Sequence, residues 1–140
     1  MTKTLSSGLE DYIETIYVAQ MNDRLLKAAD LAREMGISRA SVSEALAKLA
    51  AKGLVKYESY GTVYLTDEGR REAGIVYNKH SILERFLINV LGISQPEAGE
   101  DACRMEHVIS QELLNKIHDF THYAEDNEEL FREIWGKIQK

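Results

Sequence analysis

Residues 28–57 have the sequence AADLAREMGISRASVSEALAKLAAKGLVKY, in which two runs with helical apolar spacing flank a glycine. Leu31 and Ala32 belong to the first run, and Gly36 stands where a helix commonly ends in the left-handed conformation. Ser38 is a suitable N-cap for the second run. The stretch therefore predicts two helices joined by a tight turn, which is the helix-turn-helix pattern.

The second helix of this pair has a predicted buried face and a predicted polar face. Its apolar residues recur every three or four positions and are Val42, Ala45, Leu46 and Leu49. Gly53 is expected to end the helix. The polar positions are candidates for contacts with DNA and are Ser38, Arg39, Ser41, Ser43 and Lys48.

Two short runs of β-prone residues follow the helix pair. They are Leu54-Val55-Lys56-Tyr57 and Val63-Tyr64-Leu65, and Gly61 lies in the connection between them. This pattern predicts a β-hairpin. A hairpin directly after a helix-turn-helix is typical of a winged helix, in which Tyr60 of the connection is a candidate for a phosphate contact.

Further helices are predicted on both sides. Ser7-Gly8-Leu9-Glu10 has the form of a capping box and predicts a first helix that ends near Gln20. A long helix is expected from Thr66 to Leu91, and Ser94-Gln95-Pro96-Glu97 is a second capping box. Its helix is expected to carry Cys103, Glu106 and His107. We therefore predict a mostly α fold with a small β-hairpin, divided into a winged helix-turn-helix domain at 1–70 and a helical domain at 71–140.

Composition limits the class of protein. The chain has 140 residues, of which 29% are charged, and no apolar run approaches the roughly 20 residues that a bilayer span needs. The first residues lack the apolar core of a secretory signal, so we expect a cytoplasmic protein. The net charge is -6, but residues 1–65 carry eight basic and eight acidic side chains, whereas residues 66–140 carry nine and fifteen. The neutral first half is compatible with DNA binding.

Side chains that bind metals occur in pairs at helical spacing. Cys103, Glu106 and His107 stand at i, i+3 and i+4, which brings side chains of a helix within reach of one another. Two further pairs have the same kind of spacing: Asp11 with Glu14, and His80 with Glu84. A thiol, imidazoles and carboxylates together suit a divalent transition metal. No Ser-His-Asp set, P-loop or dinucleotide fingerprint competes with this interpretation.

Each of these residues also has an ordinary structural interpretation. His80 lies in the apolar stripe of its helix, and a free cysteine such as Cys103 is commonly a small buried residue. Glu84 and Glu106 are also interpretable as surface charges that face Arg85 or Arg104. For His118 and His122, at i and i+4, we favour a surface role, because no cluster of carboxylates accompanies them.

Several motifs resemble those of the diphtheria toxin repressor family of metal-dependent transcriptional regulators. They are LEDYIETIY at 9–17, SRASVS at 38–43, KGLV at 52–55, LTDEG at 65–69 and DACRMEH at 101–107. The resemblance covers nearly the whole chain. It implies the short, manganese-regulator-like branch, with a winged-helix domain, a helical metal-binding and dimerisation domain, and no C-terminal SH3-like domain.

The resemblance also implies a set of metal ligands. By matching motif they are Asp11, Glu14, His80, Cys103, Glu106 and His107, with Glu84 at an ancillary position. The iron-responsive branch usually has methionine where this chain has Asp11, and the manganese branch usually has a carboxylate where it has Cys103. An ancillary histidine of the iron branch is replaced by Gly99. The ligand set is therefore a hybrid.

The hybrid ligand set gives an expectation for the metal. A thiolate favours Fe(II), Co(II) or Zn(II), whereas the carboxylates suit Mn(II). We expect Mn(II) or Fe(II), with Co(II) or Zn(II) as substitutes in vitro. One well-formed site is expected from Asp11, Cys103, Glu106 and His107, and a weaker neighbouring site from Glu14 and His80.

These observations predict a metal-activated repressor that binds palindromic operators of metal-uptake genes as a homodimer, with no membrane partner, no organic substrate and no enzymatic activity. One alternative is a winged-helix regulator that senses an organic ligand or redox state without metal. A second alternative is a metal-dependent hydrolase, since carboxylates around an ion can activate water. On the DNA-binding helix, Glu44 replaces the glutamine that is common in the family, and an acid there repels phosphate unless it accepts from a cytosine amino group.

Overall fold

The computed structural model describes residues 5–57 and 61–139. The described elements are, in chain order, α1 (Ser7–Met21), β1 (Leu26–Lys27), α2 (Ala28–Met35), α3 (Arg39–Ala51), β2 (Val55–Lys56), β3 (Thr62–Leu65), α4 (Asp67–Asn89), α5 (Gln95–Met105), α6 (Gln111–Asp126) and α7 (Glu128–Ile138). The chain divides into two compact units between Val76 and Tyr77, inside α4. Within the described ranges, no helix is both long and apolar enough to cross a bilayer.

The helix-turn-helix of the first unit is confirmed. Gly36 ends α2 with φ 66°, a left-handed conformation that a glycine adopts without steric cost. Ser38 caps α3, because its Oγ accepts a hydrogen bond from the Ser41 N–H at 3.1 Å. The predicted buried face of α3 is also confirmed and consists of Val42, Ala45, Leu46 and Leu49.

The predicted hairpin is part of a three-stranded antiparallel sheet. β2 pairs with β3, with Val55 opposite Leu65, as expected for the hairpin. β1 pairs with the other side of β3, which gives the strand order β1-β3-β2. β1 was not predicted from the sequence. Tyr60, the candidate contact in the connection between β2 and β3, lies outside the described residues.

One hydrophobic core holds the first unit together. It draws apolar side chains from α1, α2, α3, the sheet and the start of α4. The largest fully buried side chains here are Ile13, Ile16, Leu31, Val42, Leu46, Leu49, Leu54 and Val63. Each contributes roughly 1.5–3 kcal/mol through the removal of apolar area from water. Gln20 ties α1 to the sheet, because its Oε1 accepts from the Leu65 N–H at 3.0 Å.

The second unit has its own smaller core. α4, α5 and α6 supply its buried residues, which are Leu83, Leu87, Ala98, Ala102 and Leu114. The indole of Trp135 on α7 donates a hydrogen bond to the Val90 carbonyl. Arg85 on α4 donates two hydrogen bonds to Glu125 on α6, at 2.8 and 2.7 Å, and these lower the pKa of the Glu125 carboxyl below its ordinary value.

Both of the predicted capping boxes need correction. The cap of α1 is Ser6, whose Oγ accepts from the Leu9 N–H at 3.3 Å, so the capping box predicted at Ser7 was wrong by one residue. Ser6 and Ser7 are chemically equivalent caps, and sequence pattern alone does not separate them. Ser94 stands at the N-cap of α5 as predicted, but its side chain makes no capping hydrogen bond.

A tight contact at the start of α4 generates a stability prediction. A Cβ added to Gly69 would lie 2.0 Å from the Leu54 carbonyl oxygen, which itself accepts from the Thr66 N–H at 3.0 Å. Gly69→Ala therefore forces backbone to move, at a cost of about 1–3 kcal/mol in the free energy of unfolding measured by urea denaturation.

Gly8 provides the matched control for this measurement. It also lies in the first turn of a helix of the first unit, and a Cβ there would meet nothing within 4 Å. Gly8→Ala is expected to leave stability unchanged or to raise it by up to about 1 kcal/mol, because alanine favours helix. Equal effects of the two substitutions would contradict the proposed contact.

Candidate functional site

The candidate metal centre of the second unit contains an imidazole between two carboxylates. His80 lies on α4, where its Nε2 is 2.8 Å from Glu84 Oε2, one helical turn further along. Its Nδ1 is 2.9 Å from Glu106 Oε2 at the end of α5. The imidazole thus connects α4 to α5. Each of its nitrogens contacts a carboxylate oxygen, and carboxylate oxygens also bind metal ions.

Glu106 is the buried acidic residue of this centre. The residue is 2% exposed, although glutamate is rarely fully buried unless it is paired. Its Oε2 contacts His80, but its Oε1 has no hydrogen-bond partner among the described residues. His107 Nε2 lies 3.5 Å from this Oε1 atom. A buried carboxylate oxygen with no hydrogen bond is costly, and a cation bound there would remove the cost.

Cys103 and His107 lie on either side of this carboxylate. Each of Cys103, Glu106 and His107 offers a ligand atom within 4.8 Å of the others. The prediction that one helix carries all three was wrong in extent, because α5 ends at Met105. Glu106 still has φ -60° and ψ -27°, so the helical turn continues through its backbone and the expected side-chain proximity is retained.

Asp11 and Glu14 lie in the first unit, on α1. They are one helical turn apart and both are half-buried, so their carboxylates lie on the same side of the helix. The Asp11 carbonyl accepts a hydrogen bond from Thr15 Oγ1 at 2.8 Å within the same helix. The first unit therefore presents two carboxylates next to the buried stripe of α1.

The residues present fit a divalent transition metal. The second unit alone supplies a thiol, a buried carboxylate and two imidazoles, which are the ligand types of Fe(II), Co(II) and Zn(II). Glu84 contacts Nε2 of His80 and Glu106 contacts Nδ1, so His80 can bind a metal only when one of these carboxylates is displaced. The fit rests on the Oε1 atom of Glu106, for which the described protein offers no hydrogen-bond donor.

His118 and His122 form a separate exposed pair on α6. Their Nε2 atoms lie 3.1 Å apart, and His118 Nδ1 is 3.3 Å from Asp119 Oδ1. Among the described residues, neither histidine belongs to a group of three or more candidate metal ligands. Our interpretation of them as surface residues agrees with this arrangement.

The candidate DNA-binding surface is the exposed side of α3. All five candidate contacts of the described part are exposed, and they are Ser38, Arg39, Ser41, Ser43 and Lys48. The Ser38 hydroxyl also donates to Ser41 Oγ at 2.9 Å, so the cap engages both hydroxyls. Lys48 Nζ lies 3.5 Å from Glu44 Oε1.

Burial, and secondarily the charge of Glu44, raise the pKa of the Tyr12 hydroxyl above its ordinary value.

Three alanines of α3 were not recognised from the sequence as part of the candidate DNA-binding surface. Ala40, Ala47 and Ala51 are exposed and, with Glu44, follow the spacing i, i+4, i+7 and i+11. This spacing marks a single stripe along a helix, on the side away from the buried residues. The signal was available in the sequence but is easily overlooked, since alanine carries no functional group.

A winged helix-turn-helix followed by a helical unit with a cluster of metal-ligand side chains defines a metal-responsive DNA-binding regulator. Comparisons with known families agree with this class. Residues 4–63 match the N-terminal DNA binding domain of the iron dependent repressor, and residues 66–130 match its metal binding and dimerisation domain. The chain belongs to the iron-dependent repressor family of metal-dependent transcriptional regulators. The predicted resemblance, divalent metal, DNA partner and homodimer are thereby confirmed at the level of the family.

Individual relatives support the same assignment. An uncharacterized HTH-type transcriptional regulator of Methanocaldococcus jannaschii is 35% identical over 123 residues, which are 87% of this chain and 98% of the relative. MntR of Bacillus velezensis is 29% identical over 133 residues, 95% of this chain and 92% of the relative. A structure described as a manganese-dependent transcriptional repressor in complex with manganese has a TM-score of 0.76 and 35% identity over 82% of this chain. This chain spans 53% of that structure.

The Ser38 cap of α3 is expected to contribute to the stability of the protein. Ser38→Ala removes the acceptor for the Ser41 N–H and is expected to lower the free energy of unfolding by about 1 kcal/mol. Ser38→Asp keeps an oxygen acceptor and is expected to retain stability within about 0.5 kcal/mol. Ser43→Ala, at an exposed interior position of the same helix, is the control and is expected to be neutral. Thermal or urea unfolding measures all three, and an Asp variant as unstable as the Ala variant would contradict the cap.

Proposed function

We propose that this protein is a repressor activated by Mn(II) or Fe(II) that binds palindromic operators of metal-uptake genes as a homodimer. The proposal is carried by one observation: the buried Glu106 side chain, near Cys103 and His107, has an oxygen without a hydrogen-bond partner among the described residues. The Cys103 thiol and the His107 imidazole each offer a ligand atom within 4.8 Å of a Glu106 oxygen, and both are proposed as metal ligands.

The proposed ligands come from both units. Asp11 and Glu14 of the first unit and His80, Cys103, Glu106 and His107 of the second are the proposed set, with Glu84 as an ancillary ligand or as the support of His80. When bound, the ion supplies positive charge that offsets the repulsion between these carboxylates. Glu106 would offer its Oε1 to the ion, and for His80 to bind the ion as well, one imidazole nitrogen must leave its present carboxylate, which is Glu106 at Nδ1 and Glu84 at Nε2.

Softness of the ligands supports either metal. The Cys103 thiolate favours Fe(II) over Mn(II), whereas Asp11, Glu14 and Glu106 contribute oxygens that suit Mn(II). One solved relative points to manganese, because it is described as a manganese-dependent transcriptional repressor in complex with manganese. Co(II) and Zn(II) are expected to bind the same ligands in vitro.

The proposed mechanism is a coupling between metal and DNA. Asp11 and Glu14 belong to the unit that carries α3, so a ligand shared with Glu106 and His107 restricts the motion of α3 in the dimer. DNA selects the same arrangement, and the coupling is therefore reciprocal, of order 1–3 kcal/mol. The proposed DNA contacts are Ser38, Arg39, Ser41, Ser43, Lys48 and Tyr60.

The second unit supports a homodimer. Its last two helices expose apolar side chains, namely Leu113, Phe120, Tyr123, Leu130, Ile134 and Ile138. Exposed apolar surface of this extent commonly marks a contact between proteins. A two-fold dimer presents two copies of α3, and the operator is therefore expected to be palindromic.

Three further expectations follow from membership in a family of regulators. The protein is proposed to have no enzymatic activity and no organic substrate. It is proposed to act in the cytoplasm, where operator DNA is accessible. The functional domains are proposed to be residues 1–70 and 71–140, close to the two family matches at 4–63 and 66–130.

A metal titration of operator binding tests the proposal. Operator sites are first selected from random duplex DNA, and binding is then measured anaerobically at buffered free Mn(II), Fe(II), Co(II) and Zn(II). Activation by Mn(II) or Fe(II) supports the proposal. Equal affinity of chelator-stripped and metal-replete protein would instead favour a regulator that senses an organic ligand or redox state.

Glu106→Gln tests the ligand assignment directly. Glutamine preserves the shape of the side chain but removes its negative charge. Loss of a residue that only supports a ligand typically weakens metal binding about 10- to 100-fold, so loss of a ligand itself should weaken Mn(II) binding at least about 10-fold. Calorimetric titration in competition with a chelator measures the affinity. Glu100→Gln, at an exposed position of α5, is the matched control and should retain wild-type affinity. Equal affinities of the two variants would remove Glu106 from the ligand set.

A further inference from the structure

The outermost stripe of α3 contains a single long side chain. The buried residues of the helix define its inner side, and the stripe opposite to them consists of Ala40, Glu44, Ala47 and Ala51. Three of these side chains are single methyl groups, so Glu44 extends furthest from the helix along this stripe. Its side chain is 72% exposed.

An outer stripe of alanines suits close approach to DNA. The recognition helix of a helix-turn-helix lies in the major groove, and its outward residues face the base edges. Methyl groups permit the helix backbone to come close to the bases and can contact the C5-methyl group of thymine. Ser38 and Ser41, at the start of the helix, engage each other in the cap. Glu44 is therefore the group of the outward stripe that can form a hydrogen bond with a base.

The chemistry of a carboxylate limits the bases that Glu44 can recognise. An ionised carboxylate is only an acceptor, and in the major groove the donors are the amino groups of cytosine and adenine. Adenine presents the N7 acceptor beside its amino group, and this acceptor repels a carboxylate. Cytosine presents its N4 amino group without an acceptor on the same edge. A carboxylate facing the base edges is thus selective for cytosine.

Lys48 allows Glu44 to occupy this position near phosphates. Lys48 Nζ lies 3.5 Å from Glu44 Oε1, one helical turn away, and both side chains are exposed. The ammonium group partly offsets the repulsion between the carboxylate and the DNA backbone and remains able to contact phosphate. The competing explanation is that Glu44 and Lys48 form only a solvated surface ion pair.

We propose that Glu44 recognises a cytosine in each operator half-site by accepting a hydrogen bond from its N4 amino group, while the neighbouring alanines contact thymine methyl groups. This inference rests on the proposed function, because it requires operator binding by α3. It assigns to Glu44 the determination of sequence specificity rather than of affinity alone.

The inference is tested by selecting operator sites from random duplex DNA. The selection uses the full-length protein with saturating Mn(II), or with saturating Fe(II) under anaerobic conditions. Wild-type protein is expected to select a cytosine at one symmetry-related position of both half-sites, and replacing that base should weaken binding roughly 5- to 150-fold, a loss of about 1–3 kcal/mol. Glu44→Gln is expected to select adenine at that position, because glutamine pairs with adenine N6 and N7. Glu44→Ala is expected to lose the preference.

Glu34→Gln is the matched control. It removes one negative charge from α2 of the same unit, where Glu34 pairs with Arg24 at 2.9 Å, so it reports any general gain in DNA affinity. It should keep the cytosine preference. An identical base preference of wild type, Glu44→Gln and Glu44→Ala would overturn the inference and leave the proposed function intact. Failure of the wild type to select any sequence with metal would overturn both.

Discussion

The proposed function depends on one buried carboxyl group of the second unit. Glu106 is almost completely removed from water, and one of its oxygens has no hydrogen bond within the described part of the chain. Burial of a polar atom without a hydrogen bond is unfavourable, so retaining this oxygen costs stability. His80 compensates one oxygen. A cation held by Glu106, Cys103 and His107 would compensate the other oxygen. The proposed function is based on the binding of such a cation.

The two units divide the work of a metal-dependent regulator. The first has a hydrophobic core that rigidly supports α3, and its exposed side combines hydroxyls, two cations and one carboxylate. The second carries the donor side chains and an exposed apolar surface on α6 and α7. Neither feature alone makes DNA binding depend on metal. In the proposed mechanism that dependence arises because Asp11 and Glu14, on α1 of the first unit, share an ion with ligands of the second.

Sequence pattern predicted the elements with strong periodicity and missed the others. The four buried residues of α3 and the left-handed Gly36 were predicted correctly, because apolar residues repeated over about two turns of a helix, and a glycine after a helix such as α2, leave few alternatives. β1 was missed, since two residues show no period, and its pairing with β3 depends on tertiary structure. Within a helix, spacing predicted that Cys103, Glu106 and His107 lie together. Spacing did not reveal that His80 contacts Glu106 across 26 residues, nor which Glu106 oxygen lacks a hydrogen bond.

Thermodynamic linkage offers a direct examination of the proposed coupling. If metal tightens operator binding by some factor, operator must tighten metal binding by the same factor. The measurement is the Mn(II) affinity of the dimer with and without saturating operator duplex, by competition with a chelator. We predict that the operator raises the Mn(II) affinity by roughly 5- to 150-fold. An Mn(II) affinity that is the same with and without operator would contradict the coupling, however tightly the protein binds each ligand alone.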